Sequence, residues 1–232
     1  MLETTPRRAA SQRLAASSLS GGSLLAGSLS AGSLPASSHP AGSGSATREA
    51  LLEAAAARLQ AVGWASFSFR DLAEQVGIRA PSIHYHFPTK SDLGVALVVW
   101  MRERRAACEH ELIAAYPNPR ERLIALGEMI GERTCSTGTG QSCPIYALQA
   151  EYAILPPPMQ QAVVGWIDDC LSGLSHWLDD GRRSGVFAFP GEVREQALVV
   201  WSVLQQGTQL HRTHPHTDYV GLVRQLVATI SS

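Results

Sequence analysis

The chain has 232 residues, 45% of them hydrophobic, and a net charge of −1. That length holds one large or two modest domains with a real core, and no apolar run approaches the roughly 20 residues of a membrane-spanning helix. The near-neutral balance excludes a bulk polycation, so any contact with nucleic acid has to come from local placement of charge.

Residues 1–46 are rich in Ser, Gly, Ala and Pro, with a loose echo in Gly22-Ser23-Leu24, Gly27-Ser28-Leu29 and Gly32-Ser33-Leu34. Such a segment cannot bury enough surface to offset its ordering entropy, and it is expected to be a disordered tail. Arg7, Arg8 and Arg13 precede only the short Leu24-Leu25 run, well below the roughly 7–15 apolar residues of a secretory core, so export is rejected and the protein is expected in the cytoplasm. Thr47 is expected to cap a first helix, with Glu49 in its first turn and Leu51, Ala55, Leu59 and Val62 forming one apolar stripe that Gly63 ends. Ser68 and Asp71 form a capping-box pair for a second helix, Phe69 to Val76. Gly77 supplies a sharp turn, and Pro81 suits the start of a short third helix through Phe87. Pro88 stops it, and Thr89 or Ser91 caps the next.

From Leu93 the periodicity stays helical to about Ala115, where Pro117 and Pro119 intervene. Further helices are expected over Arg120 to Arg133, Ile145 to Ala153, Pro156 to Asp180, Glu192 to Leu210 and Asp218 to Ile230. A loop rich in Thr, Gly and Ser lies before Cys143. Val186-Phe187-Ala188-Phe189 is too short for a strand and is bounded by Gly185 and Pro190. The expected class is all-α: a three-helix helix-turn-helix unit at 47–93, then a helical domain at 94–232.

The segment from Arg79 to Lys90 carries the chemistry, and Lys90 is the chain's single lysine. A helix that enters the major groove needs a scaffold helix across a tight turn, with its first residues reaching bases or phosphates. Arg79, Ser82, His84 and Tyr85 fall on the exposed start of the third helix, while Ile83 and Phe87, four apart, pack inward. Tyr and His side chains offer hydrogen bonds to phosphate oxygens. Lys90 stands at the next helix N-terminus, where an ammonium and the helix dipole both favour a phosphate.

Residues 47–93 resemble the DNA-binding domain of TetR-family transcriptional repressors. The likeness rests on Gly63-Trp64 after the first helix, Arg70-Asp71-Leu72-Ala73 in the second, Gly77 at the turn, and Tyr85-His86-Phe87 followed by Lys90. The resemblance implies phosphate contacts from Ser68, Arg70, Tyr85, His86 and Lys90, and base-edge or backbone contacts from Arg79, Ser82 and His84, with Thr47 and Arg48 as further DNA-binding candidates. It also implies a homodimer on double-stranded operator DNA, released by an unidentified small-molecule inducer. Leu198, Trp201, Leu204, Leu222, Leu226 and Val227 on the last two helices would form the dimer interface. Basic and acidic residues balance over 47–93: Arg48, Arg58, Arg70, Arg79 and Lys90 against Glu49, Glu53, Asp71, Glu74 and Asp92.

In the second half no nucleophile-base motif, phosphate-cradling loop or paired carboxylates stand out, so no catalytic residues are expected. His211, His214 and His216 flank Pro215 without completing a ligand set, so neither a metal nor a cofactor is expected. Trp100, Met129, Tyr146, Tyr152, Trp166 and Trp201 are candidates to line an apolar ligand cavity. Cys143 through Glu151 resembles the regulatory part of those members that answer to electrophiles or acrylate-like compounds. Two other readings therefore stay open: a thiol switch built on Cys135 and Cys143, or an all-α enzyme or scaffold that does not bind DNA.

Overall fold

In a computed structural model of the chain, residues 43–135 and 143–232 are described. The expected disorder of the tail up to residue 42 and the loop between Cys135 and Cys143 lie outside the described residues. Helices α1 (Ser43–Val62), α2 (Phe69–Val76), α3 (Ala80–His86) and α4 (Lys90–Ala115) come first, then α5 (Pro119–Thr134) and α6 (Pro144–Ala150). A 3-10 turn at Tyr152–Ile154 leads to α7 (Pro157–Arg183), α8 (Val193–Thr213) and α9 (Tyr219–Thr229). Among the described residues the only extended pairing is an isolated bridge between Phe187 and Ser231.

Local chemistry sets most of these boundaries. Ser68 caps α2 in a closed capping box with Asp71, and Thr89 does the same for α4 with Asp92. Gly77 ends α2 in the left-handed region (φ 74°), which permits the abrupt redirection into α3. Arg122 fixes the corner between α4 and α5: its Nε donates to Tyr116 O at 3.0 Å and a terminal nitrogen donates to Pro117 O at 3.0 Å. Its guanidinium also lies 5.3 Å from the centre of the Trp177 ring.

Several expected ends move, among them the C-terminus of α7, which runs to Arg183 and not Asp180. The first helix begins at Ser43, not after Thr47, so Thr47 is a half-buried helical residue and not a cap. The helix after Cys143 ends at Ala150, three residues before Ala153, because the backbone tightens into the 3-10 turn ahead of Leu155-Pro156.

The core is continuous across the position where the sequence suggested a border. α4 runs unbroken through residue 93, and one apolar cluster joins Leu51, Leu59, Phe67, Leu72 and Ile83 to Leu97, Ile145, Leu148 and Met159. Each such fully buried side chain contributes roughly 1.5–3 kcal/mol. A second cluster gathers α5, α7, α8 and α9 around Leu174, Leu178, Val200, Leu204, Tyr219 and Val227. A third, around Cys108, Leu112, Met129 and Trp177, fills the far end of α4.

Candidate nucleic-acid interface

The helix-turn-helix buries one side of α3 and leaves the other bare. Ile83 and Phe87 are enclosed, whereas Tyr85 is 86% exposed. Arg70, Arg79, Ser82 and His84 are exposed around it, and His86 is half-buried with its ring edge-on to Tyr85. Arg48 is exposed, with its guanidinium 5.4 Å from the Phe87 ring centre. These side chains share the head formed by the first three helices and the start of α4.

Two of the expected contact residues are tied down by their neighbours. The Ser68 hydroxyl donates to Asp71 Oδ2 at 2.8 Å, so its proton serves the capping box. That bond, with the Ser68 backbone N–H beside it, holds the Asp71 carboxyl below its ordinary pKa. His84 Nδ1 lies 3.1 Å from Pro88 O, and a carbonyl can only accept, so Nδ1 is the donor in this bond. The His84 ring also meets Phe69 edge-on at 5.0 Å.

Lys90 makes contacts that its place at a helix start did not suggest. Its ammonium turns inward, donating to Trp64 O at 2.5 Å and Phe67 O at 2.6 Å, and it sits 4.6 Å and 4.5 Å from the centres of the Trp64 and Phe67 rings. Burial pushes its pKa down, while the carboxylates of Glu151 and Asp71 pull it back up. The lone lysine thus ties α4 to the connection between α1 and α2. The same connection is gripped from the opposite side by a residue the sequence did not single out as functional. Glu151 accepts the Trp64 N–H and the Ala65 N–H, each at 2.8 Å.

The family model for bacterial regulatory proteins of the tetR family matches residues 51–97, the stretch that builds this head. That stretch is a TetR-family domain. The chain is 26% identical over 162 residues to the HTH-type transcriptional repressor NemR of Escherichia coli strain K12, which covers 68% of this chain and 79% of that protein. A TetR-family regulator from Agrobacterium tumefaciens superposes with a TM-score of 0.76 at 27% identity, covering 82% of this chain and all of that one (100%). The reduced form of Escherichia coli NemR shares the fold at a TM-score of 0.71 and 22% identity, over 80% of this chain and 97% of that one. The likeness to both structures extends well past the head, so the helical half shares their fold as well. No helix among the described residues is long and apolar enough to cross a membrane.

The residues expected to sense a ligand do not meet in one place. Trp100, Cys143, Trp166 and Trp201 pack against the head-proximal core. Met129 belongs to the third cluster, with its sulfur 3.0 Å from the Cys108 thiol. Tyr146 is half-buried on α6, and Tyr152 is exposed on the 3-10 turn, which corrects its placement inside a cavity. Cys135, half-buried, lines a groove of about 970 Å³ between α5 and α9, together with Tyr116, Tyr219 and His211. Burial pushes the Cys108 and Cys143 thiols up, and Cys170 up to about 12. At Cys143 the backbone N–H groups of Ile145 and Tyr146 and the Gln205 side chain oppose burial and lose.

The expected dimer residues divide as well. Leu204 (2% exposed) and Val227 (0%) are enclosed within the protomer, because α9 packs back on α5 and α8 and takes those side chains into its own core. Trp201, Leu222 and Leu226 are half-buried, and Leu198 is exposed. Val199 and Leu210 on α8 and Val164 on α7 are exposed too, and none of the three was anticipated. Period alone could have found Val199, since it follows Leu198 on the side of α8 turned away from Ala197 and Val200.

Proposed function

We propose that this protein is a homodimeric repressor that grips a palindromic operator through α2 and α3 and releases it when a small molecule enters the helical half. The observation that carries the reading is the bare face of α3. A tyrosine 86% exposed beside Arg79 and Ser82, over a fully enclosed Ile83, is a surface prepared for a partner. In this reading residues 47–93 form the DNA-binding unit and 94–232 the regulatory and dimerisation unit. Arg48, Ser68, Arg70, Tyr85 and His86 hold phosphates, while Arg79, Ser82 and His84 meet base edges. Two such heads, about one DNA turn apart (~34–36 Å), require a two-fold partner. The exposed Leu198, Val199, Leu210 and Val164 on the paired helices α7 and α8 supply an apolar face for it.

The printed name of the NemR relative, a repressor, supports the negative sign of regulation. A buried indole donor (Trp166 Nε1) and a buried amide acceptor (Gln205 Oε1) have no protein partner among the described residues, which suits an inducer that carries both an acceptor and a donor. Thiols pushed up by burial at Cys108, Cys170 and the half-buried Cys143 favour such a ligand over a thiolate switch, which leaves the half-buried Cys135 as the thiol open to that alternative.

The test uses a duplex enriched by in vitro selection on the wild-type chain. Replacing Arg79 and Tyr85 together by Ala should lower affinity for that duplex about 100-fold, with the helical content retained, since each good polar contact carries roughly 1–3 kcal/mol. Undiminished binding by the double variant refutes the assignment.

A further inference from the structure

We propose that Glu151 is a positioning residue for the DNA-binding head: a carboxylate of the regulatory half that pins the α1–α2 joint and thereby sets the spacing at which the two heads of a dimer read DNA. The inference rests on the DNA-binding reading above and adds to it the route by which the helical half reaches the head.

The joint spans Gly63 to Phe67, just past the end of α1. The Trp64 and Ala65 amides follow the last helical turn, and their N–H groups donate to a side chain. Glu151, 87 and 86 residues further along, supplies one carboxylate oxygen to each at 2.8 Å. From the other side Lys90 takes the Trp64 and Phe67 carbonyls. One carboxylate and one ammonium therefore hold both edges of a five-residue turn, and the Glu151 carboxylate favours the charged form of Lys90. Gly63, in the left-handed region at φ 84°, leaves the room: a Cβ there would collide with Glu151 Oε1.

Glu151 is also the C-cap of α6, the seven-residue helix whose other end is Cys143, beside Gln205 of α8. Ile145 and Leu148 of that helix are enclosed in the same core as Leu51, Leu59 and Phe67 of the head. A hydrogen bond weakens steeply once its angle or length departs from ideal. A small shift of α6 along its axis thus changes both bonds together, and a rigid seven-residue rod delivers any displacement at Gln205 and Cys143 to the joint. The side chain touches no DNA itself; it acts through the orientation of α1 against α2 and α3.

The experiment uses the full chain, as wild type, Glu151→Gln and Glu151→Ala. Palindromic duplexes built from the selected half-site, differing only in the spacing between half-sites, are titrated with each. The wild type should show a sharp optimum. Glu151→Ala should keep the helical content and the affinity for a single half-site, yet lose about tenfold of the discrimination between the best spacing and its neighbours. Glu151→Gln, with one acceptor for two donors, should fall between. Hydrogen exchange supplies a readout independent of DNA: the Trp64 and Ala65 amides should be protected in the wild type and exchange about tenfold faster in Glu151→Gln, with α9 unchanged. A spacing optimum equally sharp in all three proteins overturns the proposal, as does exchange at those amides that is fast in the wild type. A wild-type chain that selects no duplex at all refutes the DNA-binding reading instead, and the exchange comparison then still decides whether Glu151 holds the joint.

Discussion

Replacing Lys90 by Ala separates the two roles this side chain could have. In the structure its ammonium donates to two carbonyls at 2.5 and 2.6 Å and lies over two aromatic rings at 4.6 and 4.5 Å. Hydrogen bonds from a charged donor are worth about 1.5–3 kcal/mol each and partly exposed cation–π contacts about 0.5–1. Lys90 is only half-buried, so water recovers much of that on truncation, and the expected net loss is about 2–3 kcal/mol. At about 2–4 °C per kcal/mol for a chain of this size, Tm should fall by roughly 5–10 °C. Binding to a selected duplex, followed by fluorescence anisotropy from about 50 to 200 mM salt, gives the second number. A lost phosphate contact would make the slope of log K against log salt shallower by about 0.9. An inward lysine leaves the slope unchanged, even where affinity drops because the head has loosened. A shallower slope with an unchanged Tm would refute the inward assignment and restore the phosphate anchor.

Stability on the alkaline side should bear the mark of Cys170, whose thiol burial raises from 9.0 to about 12. The folded protein keeps a proton that the unfolded chain releases, so this contribution is complete below about pH 9 and fades as pH climbs toward 12, by up to about 1.4 kcal/mol per pH unit. Urea denaturation between about pH 8 and 11 should therefore show a steeper decline for the wild type than for Cys170→Ala, and parallel profiles would count against it. Placing Asp at both Leu198 and Val199 should turn a dimer into a monomer in sedimentation experiments without unfolding it, since both side chains are about half exposed in the protomer. A dimer that survives the double substitution puts its interface elsewhere.

Much of the head was legible because its determinants are local. In the two capping boxes, the Gly77 turn and the inward pairing of Ile83 with Phe87, the partners of each feature are no more than four residues apart, and period and capping chemistry reach that far. The start of α1 was hidden, since Ser43 to Ala46 continue the composition of the tail while belonging to the helix. The direction of Lys90 was hidden for another reason. Whether a lysine at a helix start faces outward depends on what lies beneath it, and here that is the Trp64 and Phe67 carbonyls, 26 and 23 residues earlier. Glu151 left no local trace either: its partners are backbone amides, which carry no side-chain signature in any sequence. In the second half, helices were readable from their period, but which of their faces meet was not. Leu204 and Val227 were therefore assigned to a surface that the packing of α9 places inside.

A chain with a single lysine also has a single ε-ammonium signal. Reductive methylation with isotope-labelled formaldehyde would place one side-chain resonance at Lys90, besides that of the α-amine, on the joint between head and body. Its chemical shift would report ring currents from Trp64 and Phe67 directly. Candidate inducers could then be screened by whether they move that one peak, before the operator is known.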